Sequence, residues 1–464
     1  MSFHATEFLL FLAAFTLLYG LTRSRLHLRN ALIVAASYLF YGWWDWRFLG
    51  LILLSSVVDF RVGLALGRST NPRSRRAWLG LSLAFNLGTL AAFKYFGFFL
   101  DSFLAVLDSL GVTHPSWSWN VILPVGISFY TFQTLGYTID VYRRTIEPTR
   151  DPLAFLAFVS FFPQLVAGPI ERAAHLLPQF QQTRTLRLDD IETGLWLILW
   201  GLFKKVVVAD QLAPIAELAF DHDLRSAPLL LLGTLAFAGQ IYGDFSGYSD
   251  VARGLALALG FDLMRNFDRP YTATSVRDFW RRWHISLSTW IRDYVYIPLG
   301  GNRGPEHRVA FHLLLTFTLA GLWHGASWNF VLWGAWHGLA LAVQRAWTLR
   351  STRRLPIPLS WTLTAITVGY GWMLFRSAAP GALAATHASL LSWSAPPWIG
   401  DVALALAAWS APLFLAELNP VRRLRATTSH TLPPIARAML AGLLLVAVAA
   451  HWERQAVPFL YFQF

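Results

Sequence analysis

The chain reads as an all-α polytopic membrane protein, and three features of the sequence predict it. Its 464 residues are 55% hydrophobic and only 14% charged, against about 25% charged in an ordinary soluble domain. Apolar runs long enough to span a bilayer, or nearly so, recur from one end to the other; a span needs about 20 residues. The basic residues, which give a net charge of +12, are almost all arginine and fall in short clusters between those runs, with lysine only at Lys94, Lys204 and Lys205. Arginine parcelled out this way is the positive-inside pattern of membrane loops. It argues against a nucleic-acid partner, whose interface shows a clustered basic face.

In chain order the apolar runs fall near 5–20, 30–44, 47–67, 77–106, 119–142, 152–170, 191–209, 226–243, 309–323, 327–344, 357–375, 400–418 and 436–452. The first follows a stretch with no basic residue, so it is expected to stay as a membrane helix and not be cleaved as a signal peptide. Arg23, Arg25 and Arg29 mark a cytoplasmic loop, as do Arg68, Arg73, Arg75 and Arg76, then Arg143, Arg144 and Arg150. Arg345, Arg350, Arg353 and Arg354 mark another, and Arg422, Arg423, Arg425 and Arg437 the last. The loops 107–118 and 211–224 read as external, which places both termini outside the cytoplasm. No soluble insertion or internal repeat interrupts the pattern, so residues 1–464 are expected to form one membrane-embedded domain. Cysteine is absent, which excludes a disulfide, a thiol nucleophile and a thiolate-bound metal. No metal site is expected.

The stretch 264–308 differs from the rest in its density of arginine. From Arg277 to Ile291 one amphipathic helix is expected, with Trp280, Trp283, His284, Leu287 and Ile291 on one face. Arg277, Arg281, Ser288 and Arg292 fall on the other. Such a helix lies along the cytoplasmic interface or at the mouth of a cavity.

His324 sits in Gly321-Leu322-Trp323-His324-Gly325, between two strongly apolar runs. An ionisable ring at that depth is costly to desolvate and marks a functional site by default. His337 would face away from it on a continuous helix and reads as packing beside Trp333. Residues 240–250, from Gln240 to Asp250, end an apolar run with two carboxylates and two glycines. They read either as a capped helix terminus or as a backbone break lining a pocket. Ser249 and Asp250 suit a structural role, while Gln240 and Asp244 are candidates for contacting substrate. Pro and Gly in Leu123–Gln133 and in Phe162–Arg172 predict helix breaks covered by protein. Paired intramembrane charges are not evident.

Taken together, these segments resemble the membrane-bound O-acyltransferase family, in its bacterial alginate O-acetyltransferase branch. The blocks that carry the likeness are Leu123–Gln133 with Tyr137–Tyr142, Phe162–Ile170, Gln240–Asp250, Asn266–Tyr271, Asp278–Ser288, Tyr296–Arg303, Gly321–Gly325 and Pro458–Phe464. The resemblance implies a ring of tilted, partly broken helices around a central funnel, with short cytoplasmic helices. It implies acyl transfer across the bacterial inner membrane to a hydroxyl, with His324 matching the catalytic histidine and His284 a second polar position. Taking a proton from an acceptor hydroxyl requires a base of near-neutral pKa. A buried neutral imidazole suits that task, since burial disfavours its charged form. His284 would then orient the ring or support the donor side. The donor expected is acetyl-CoA, with no bound cofactor. Trp280, Arg281 and Arg282 suit its adenine and phosphates, because arginine forks match phosphate geometry. A periplasmic acetyl-transferring protein is the expected partner, and the aromatic stretch 458–464 is a candidate docking strip for it.

Three alternatives stay open at this level. One is a D-alanyl transfer protein fed by an acyl carrier. Another is a polysaccharide or lipid transporter, which shares broken helices and midplane polar residues. The third is a non-catalytic scaffold, which would have no need of buried His, Asp and Gln.

Overall fold

The computed structural model describes residues 3, 5–115, 117–119, 121–221, 226–351, 353, 355–377, 382–418, 433–452 and 459–460. Among them there is no strand. They form two compact units, residues 1–185 with 261–263, and 186–260 with 264–464. Four helical stretches are long and apolar enough to cross a membrane: Leu26–Arg68, Pro72–Ser109, Ala227–Ala258 and Ile399–Ala416. The all-helical, polytopic membrane architecture predicted from the sequence is therefore the one found.

The first unit holds α1 (Thr6–Thr22), α2 (Leu26–Asp45), α3 (Leu49–Arg68), α4 (Pro72–Leu90), α5 (Phe96–Ser109), α6 (Ile127–Arg143), α7 (Pro152–Ser160), α8 (Phe162–Leu165) and α9 (Ala173–Phe180). Its buried centre is polar at one point that the sequence did not single out. Asp59 of α3 is fully buried and accepts from Asn86 Nδ2 of α4 at 2.8 Å and Thr138 Oγ1 of α6 at 3.2 Å. Hydrogen bonds between helices bind them where lipid supplies no hydrophobic drive.

The two predicted breaks are present in this unit, and each is covered. At the first, the helix expected over 119–142 starts only at Ile127. Pro124 lacks an N–H and Gly126 is left-handed at φ 75°, a conformation glycine adopts without strain. The Tyr41 hydroxyl donates to the freed Val125 carbonyl at 2.9 Å. At the second, between α7 and α8, Phe162 N–H donates to Ser37 Oγ at 3.0 Å, and Gln133 and Gln164 both donate to the Phe158 carbonyl.

The second unit holds α10 (Leu188–Leu202), α11 (Asp210–Asp221), α12 (Ala227–Ala258), α13 (Val276–Arg282), α14 (Ile285–Ile291), α15 (Glu306–His324), α16 (Trp328–Arg350), α17 (Ile357–Arg376), α18 (Ala382–Ser389), α19 (Ile399–Leu418) and α20 (Pro434–Ala450). Four expectations need correction here. The loop expected over 211–224 is helical through Asp221, because α10 runs on through a π turn at Phe203–Ala209 into α11. The cluster Gln240–Asp250 neither caps nor breaks a helix: α12 passes through it unbroken for 32 residues. Its glycines serve close packing instead. A Cβ on Gly247 would lie 2.7 Å from the Gly201 carbonyl of α10, and one on Gly201 2.5 Å from the Gly247 carbonyl.

Paired charges, unseen in the sequence, are also present. Lys204 meets Asp250 at 2.6 Å, and Lys205 meets Asp244 at 2.7 Å and Asp210 at 2.8 Å. Lys204–Asp250 and Lys205–Asp244 lie far apart in sequence and become neighbours only when the π turn at Phe203–Ala209 packs against α12, whereas Asp210 is close to Lys205 in the chain. The fourth correction is the single helix expected over 277–291, which is two helices broken at Trp283–His284. Arg422, Arg423 and Arg425, read above as loop markers, lie outside the described residues.

The α15–α16 hairpin is closely packed. A Cβ on Gly338 would lie 2.8 Å from Leu314 Cα, and Gly321 and Gly334 press on the carbonyls of Phe330 and Phe317. Small residues at such an interface let two backbones touch. Gly334→Val should therefore force the helices apart at a cost of about 1–3 kcal/mol, the usual penalty of overpacking. The check is a thermal melt in detergent, where Gly334→Val should lower the midpoint and Gly369→Val, at a glycine with open space beside it, should not.

Candidate active site

The hairpin creates the site. α15 ends at His324, the chain reverses through residues 325–327, and Ser327 Oγ accepts from Asn329 N–H at 3.3 Å to cap α16. Leu313, Thr316, Phe317, Ala320 and His324 recur at three- and four-residue steps, so they share one face of α15. That face lines a cavity of about 700 Å³, together with Trp333, Leu341, Gln344 and Arg345 of α16 and with residues of α13 and α14. Because α15 and α16 run antiparallel, His324 and Trp333 sit at one end of the cavity and Arg345 near the other. At 1.5 Å per residue, Leu313 lies roughly 16 Å along the helix from His324.

The two ends differ in chemistry. His324 is 5% exposed and is ringed by Trp323, Trp333 and Phe375, with centroids at 5.0, 5.1 and 5.5 Å. Arg277, Arg281, Arg292 and Arg345 line the wall, and no carboxylate lines it among the described residues. Arg277, whose backbone N–H donates to Gln344 Oε1 at 3.1 Å, lies with Arg345 toward the other end. Arg345 is held by Glu306 at 2.9 and 3.0 Å and by Asn302 Oδ1 at 3.2 Å. The Tyr296 hydroxyl donates to that same Asn302 oxygen at 2.8 Å. Arg292 pairs with Asp293 at 2.7 Å. Arg281 makes no ion pair among the described residues. A cavity with cations toward one end and a buried imidazole at the other can take a long ligand that is anionic at its head and reactive at its tail.

Of the residues singled out from sequence, His324, Trp280 and Arg281 line this cavity. Arg282 lies outside the wall, pairing with Asp278 at 3.0 Å and donating to Thr272 Oγ1 at 3.2 Å. Gln240 and Asp244 also lie outside it. Besides its pair with Lys205, Asp244 accepts the Leu460 N–H at 2.7 Å. Phe459 and Leu460 are buried, with the Phe459 ring 4.9 Å from Tyr248 and 5.9 Å from Phe245. Those two residues are thus not an exposed docking strip; Pro458 and residues 461–464 lie outside the described residues.

His284 is brought near His324 but not into the cavity wall. Both rings touch Trp323, whose centroid is 6.2 Å from His284 and 5.0 Å from His324. His284 occupies the left-handed break between α13 and α14 at φ 43°, 1% exposed and 4.6 Å from the Phe245 ring. Burial pushes its imidazole down to about 3, against a smaller upward pull from its own backbone.

His337 is closer to the site than the continuous-helix reading allowed. The reversal at 325–327 starts a new helix, so both histidines flank Trp333, His337 at 5.1 Å. Its role is packing, also against Trp280 at 5.0 Å.

Sequence reasoning missed Asn266. Its carbonyl accepts the Ile285 N–H at 2.8 Å, and its Oδ1 accepts the Ser286 hydroxyl at 2.6 Å and N–H at 3.3 Å. It thereby satisfies donors that the start of α14 leaves open and fixes the break that carries His284. The only sequence signal was its place in the segment Asn266–Tyr271, which gave no role.

The sequence model of the membrane-bound O-acyltransferase family matches residues 38–376. The chain belongs to that family. This acyltransferase is 45% identical over 379 residues to the protein of Azotobacter vinelandii named "Probable alginate O-acetylase AlgI", covering 81% of this chain and 75% of that one. It is 44% identical to the protein of the same name from Pseudomonas aeruginosa, covering 81% and 72%. A "Peptidoglycan O-acetyltransferase" of Helicobacter pylori is 38% identical over 74% of this chain and 70% of its own length. "Teichoic acid D-alanyltransferase" of Streptococcus thermophilus is 30% identical over 54% and 64%. The family match covers His284, His324 and every residue of the cavity wall, and it makes the chain an enzyme, setting aside the transporter and scaffold readings.

The low pKa of His284 fixes a pH effect with a definite sign. The unfolded chain takes up a proton near pH 6.5 that the folded ring refuses until about pH 3. Stability is therefore lost as pH falls through that window. Thermal midpoints measured from pH 7 down to pH 4 should drop less steeply for His284→Phe than for the parent chain.

Proposed function

We propose that this acyltransferase passes an acetyl group from acetyl-CoA, held on the cytoplasmic side, through the membrane for O-acetylation of an exported or cell-surface polysaccharide. The observation that carries the reading is His324 at the aromatic end of a cavity whose wall carries four arginines. Arg277, Arg281, Arg292 and Arg345 suit the phosphates of the donor; Trp280, one ring from the His324 neighbour Trp333, lies along the pantetheine arm and not beside the adenine. The absence of any carboxylate from the wall suits an anionic ligand. The pantetheine arm then runs along the α15 face and brings the thioester to His324. Alginate is the first acceptor to test, from the printed names of the relatives with 42–45% identity.

The chemistry needs one base and no covalent enzyme intermediate. His324 takes the proton of the acceptor hydroxyl as its oxygen bonds to the acetyl carbon. The C–S bond then breaks, and the imidazolium returns the proton to the departing thiolate. His284, in contact with Trp323 as His324 is, supports the position of the ring. The arginine end faces the cytoplasm under the positive-inside rule, which sets the protein in the bacterial inner membrane with both termini periplasmic. The acceptor side then faces the periplasm, where an acetyl-transferring protein completes delivery. D-alanyl transfer is less well supported, since the teichoic-acid relatives match only about half of this chain, at 28–30% identity.

Mass spectrometry of secreted polymer should find acetylation lost, or reduced by at least about a hundredfold, the usual contribution of a positioned base, in cells carrying His324→Ala. Full acetylation by a variant that inserts normally would end the reading. Arg281→Ala should instead raise the KM for acetyl-CoA about tenfold with kcat nearly unchanged, the effect of losing one charge-assisted hydrogen bond of about 1.5 kcal/mol. Initial rates in nanodiscs separate the two constants.

A further inference from the structure

A general base alone leaves the reaction incomplete. When the hydroxyl oxygen attacks the thioester carbon, the carbonyl oxygen gains a full negative charge inside an apolar pocket. That charge must meet a preorganised donor. Arg345 and Arg277 lie toward the far end of the cavity, and no guanidinium touches the His324 ring among the described contacts. The structure holds buried donors in that wall whose hydrogen-bonding capacity is unused among the described residues: the indole N–H groups of Trp280 and Trp333 and the hydroxyl of Thr316. A buried donor without an acceptor is destabilising, by about 1–3 kcal/mol, and such exceptions call for an explanation.

Position selects among the three. Thr316 lies two helical turns from His324, roughly 12 Å along α15. Trp280 touches Trp333 at 5.6 Å and His337 at 5.0 Å, one ring further from the base. Trp333 is in direct contact with His324, at 5.1 Å between centroids and 86° between planes, and is 1% exposed. Its ring is wedged against Trp280, His337 and Phe375, so it cannot turn away when the site fills.

We propose that Trp333 is a further catalytic residue, its indole N–H donating to the acyl carbonyl oxygen as the tetrahedral intermediate forms. The inference rests on the acyl-transfer reading with His324 as base. Electrons of the C=O bond move onto oxygen as the new C–O bond forms, and the Trp333 N–H holds the resulting oxyanion. When the intermediate collapses, the carbonyl re-forms, the C–S bond breaks and the thiolate takes the proton from His324. The N–H donates throughout and is never transferred.

The test keeps the ring and removes the donor. Trp333→Phe should lower kcat for acetyl transfer in nanodiscs by about a hundredfold, the usual loss for one oxyanion donor. The KM for acetyl-CoA and the pH at which the rate is half-maximal should stay unchanged. Benzothienylalanine at position 333, which has the shape of tryptophan without its N–H, should reproduce that loss while keeping the parent melting temperature. Full kcat with benzothienylalanine would overturn the proposal, as would the same loss arising from Trp280→Phe and not from Trp333→Phe. A shifted pH profile in the Trp333 variants would assign the residue to positioning His324, and it too would overturn the donor role. Activity surviving in His324→Ala would bring down the underlying reading instead, so the two failures are distinguishable.

Discussion

The backbone contact between α15 and α16 is the constraint on which the site depends. Gly321, Gly334 and Gly338 let the two helices meet at the distance of carbonyl against Cα. That closeness forces the chain to reverse in three residues after His324. The reversal leaves an ionisable ring at a helix end among aromatic neighbours and directs one face of each helix into the cavity. A bulkier pair of helices would cross with a looser turn, and His324 would lose both its cage and its register with the arginines. Irregular backbone at this depth persists only where other protein groups cover it, and here the Ser327 cap and the aromatic rings do so.

Separation of charge along the cavity gives the site its direction. Four arginines line the cavity wall, with Arg277 and Arg345 toward one end. At the other end His324 is ringed by Trp323, Trp333 and Phe375. In the proposed reaction the acetyl group moves away from the arginines as a proton returns toward them. The exchange is neutral overall, so no net charge is left in the apolar end after a turnover. The same logic explains the buried Lys204–Asp250 and Lys205–Asp244 pairs, which are tolerable because each cation meets its carboxylate within a packed helix interface.

Much of this was legible in the sequence because hydrophobicity and residue type are local. The order of helices, the breaks near Pro124 and Phe161, and the buried His324 all follow from short stretches read alone. What failed depended on partners distant in sequence. Gln240–Asp250 looks like a helix end because its polar residues have no visible reason to be buried; Gly201 of α10 and Lys204 and Lys205 of the π turn after it supply that reason. The break at His284 is invisible because the heptad-like spacing of Trp280, Trp283 and Leu287 is compatible with one helix. Asn266, from another segment, is what stabilises two. Asp59 was overlooked for the same reason, its partners lying on α4 and α6. His337 faces away from His324 only on one continuous helix, and α15 ends at His324.

Where the acyl end of the donor rests is the most direct question to put to the molecule. Bromoacetyl-CoA carries an alkylating carbon in place of the acetyl methyl and marks whichever nucleophile lies beside it. Peptide mapping by mass spectrometry after a stoichiometric reaction in nanodiscs should find the label on His324, with protection by acetyl-CoA. Protectable label on a residue outside the cavity, with His324 unmodified and activity lost, would contradict the account.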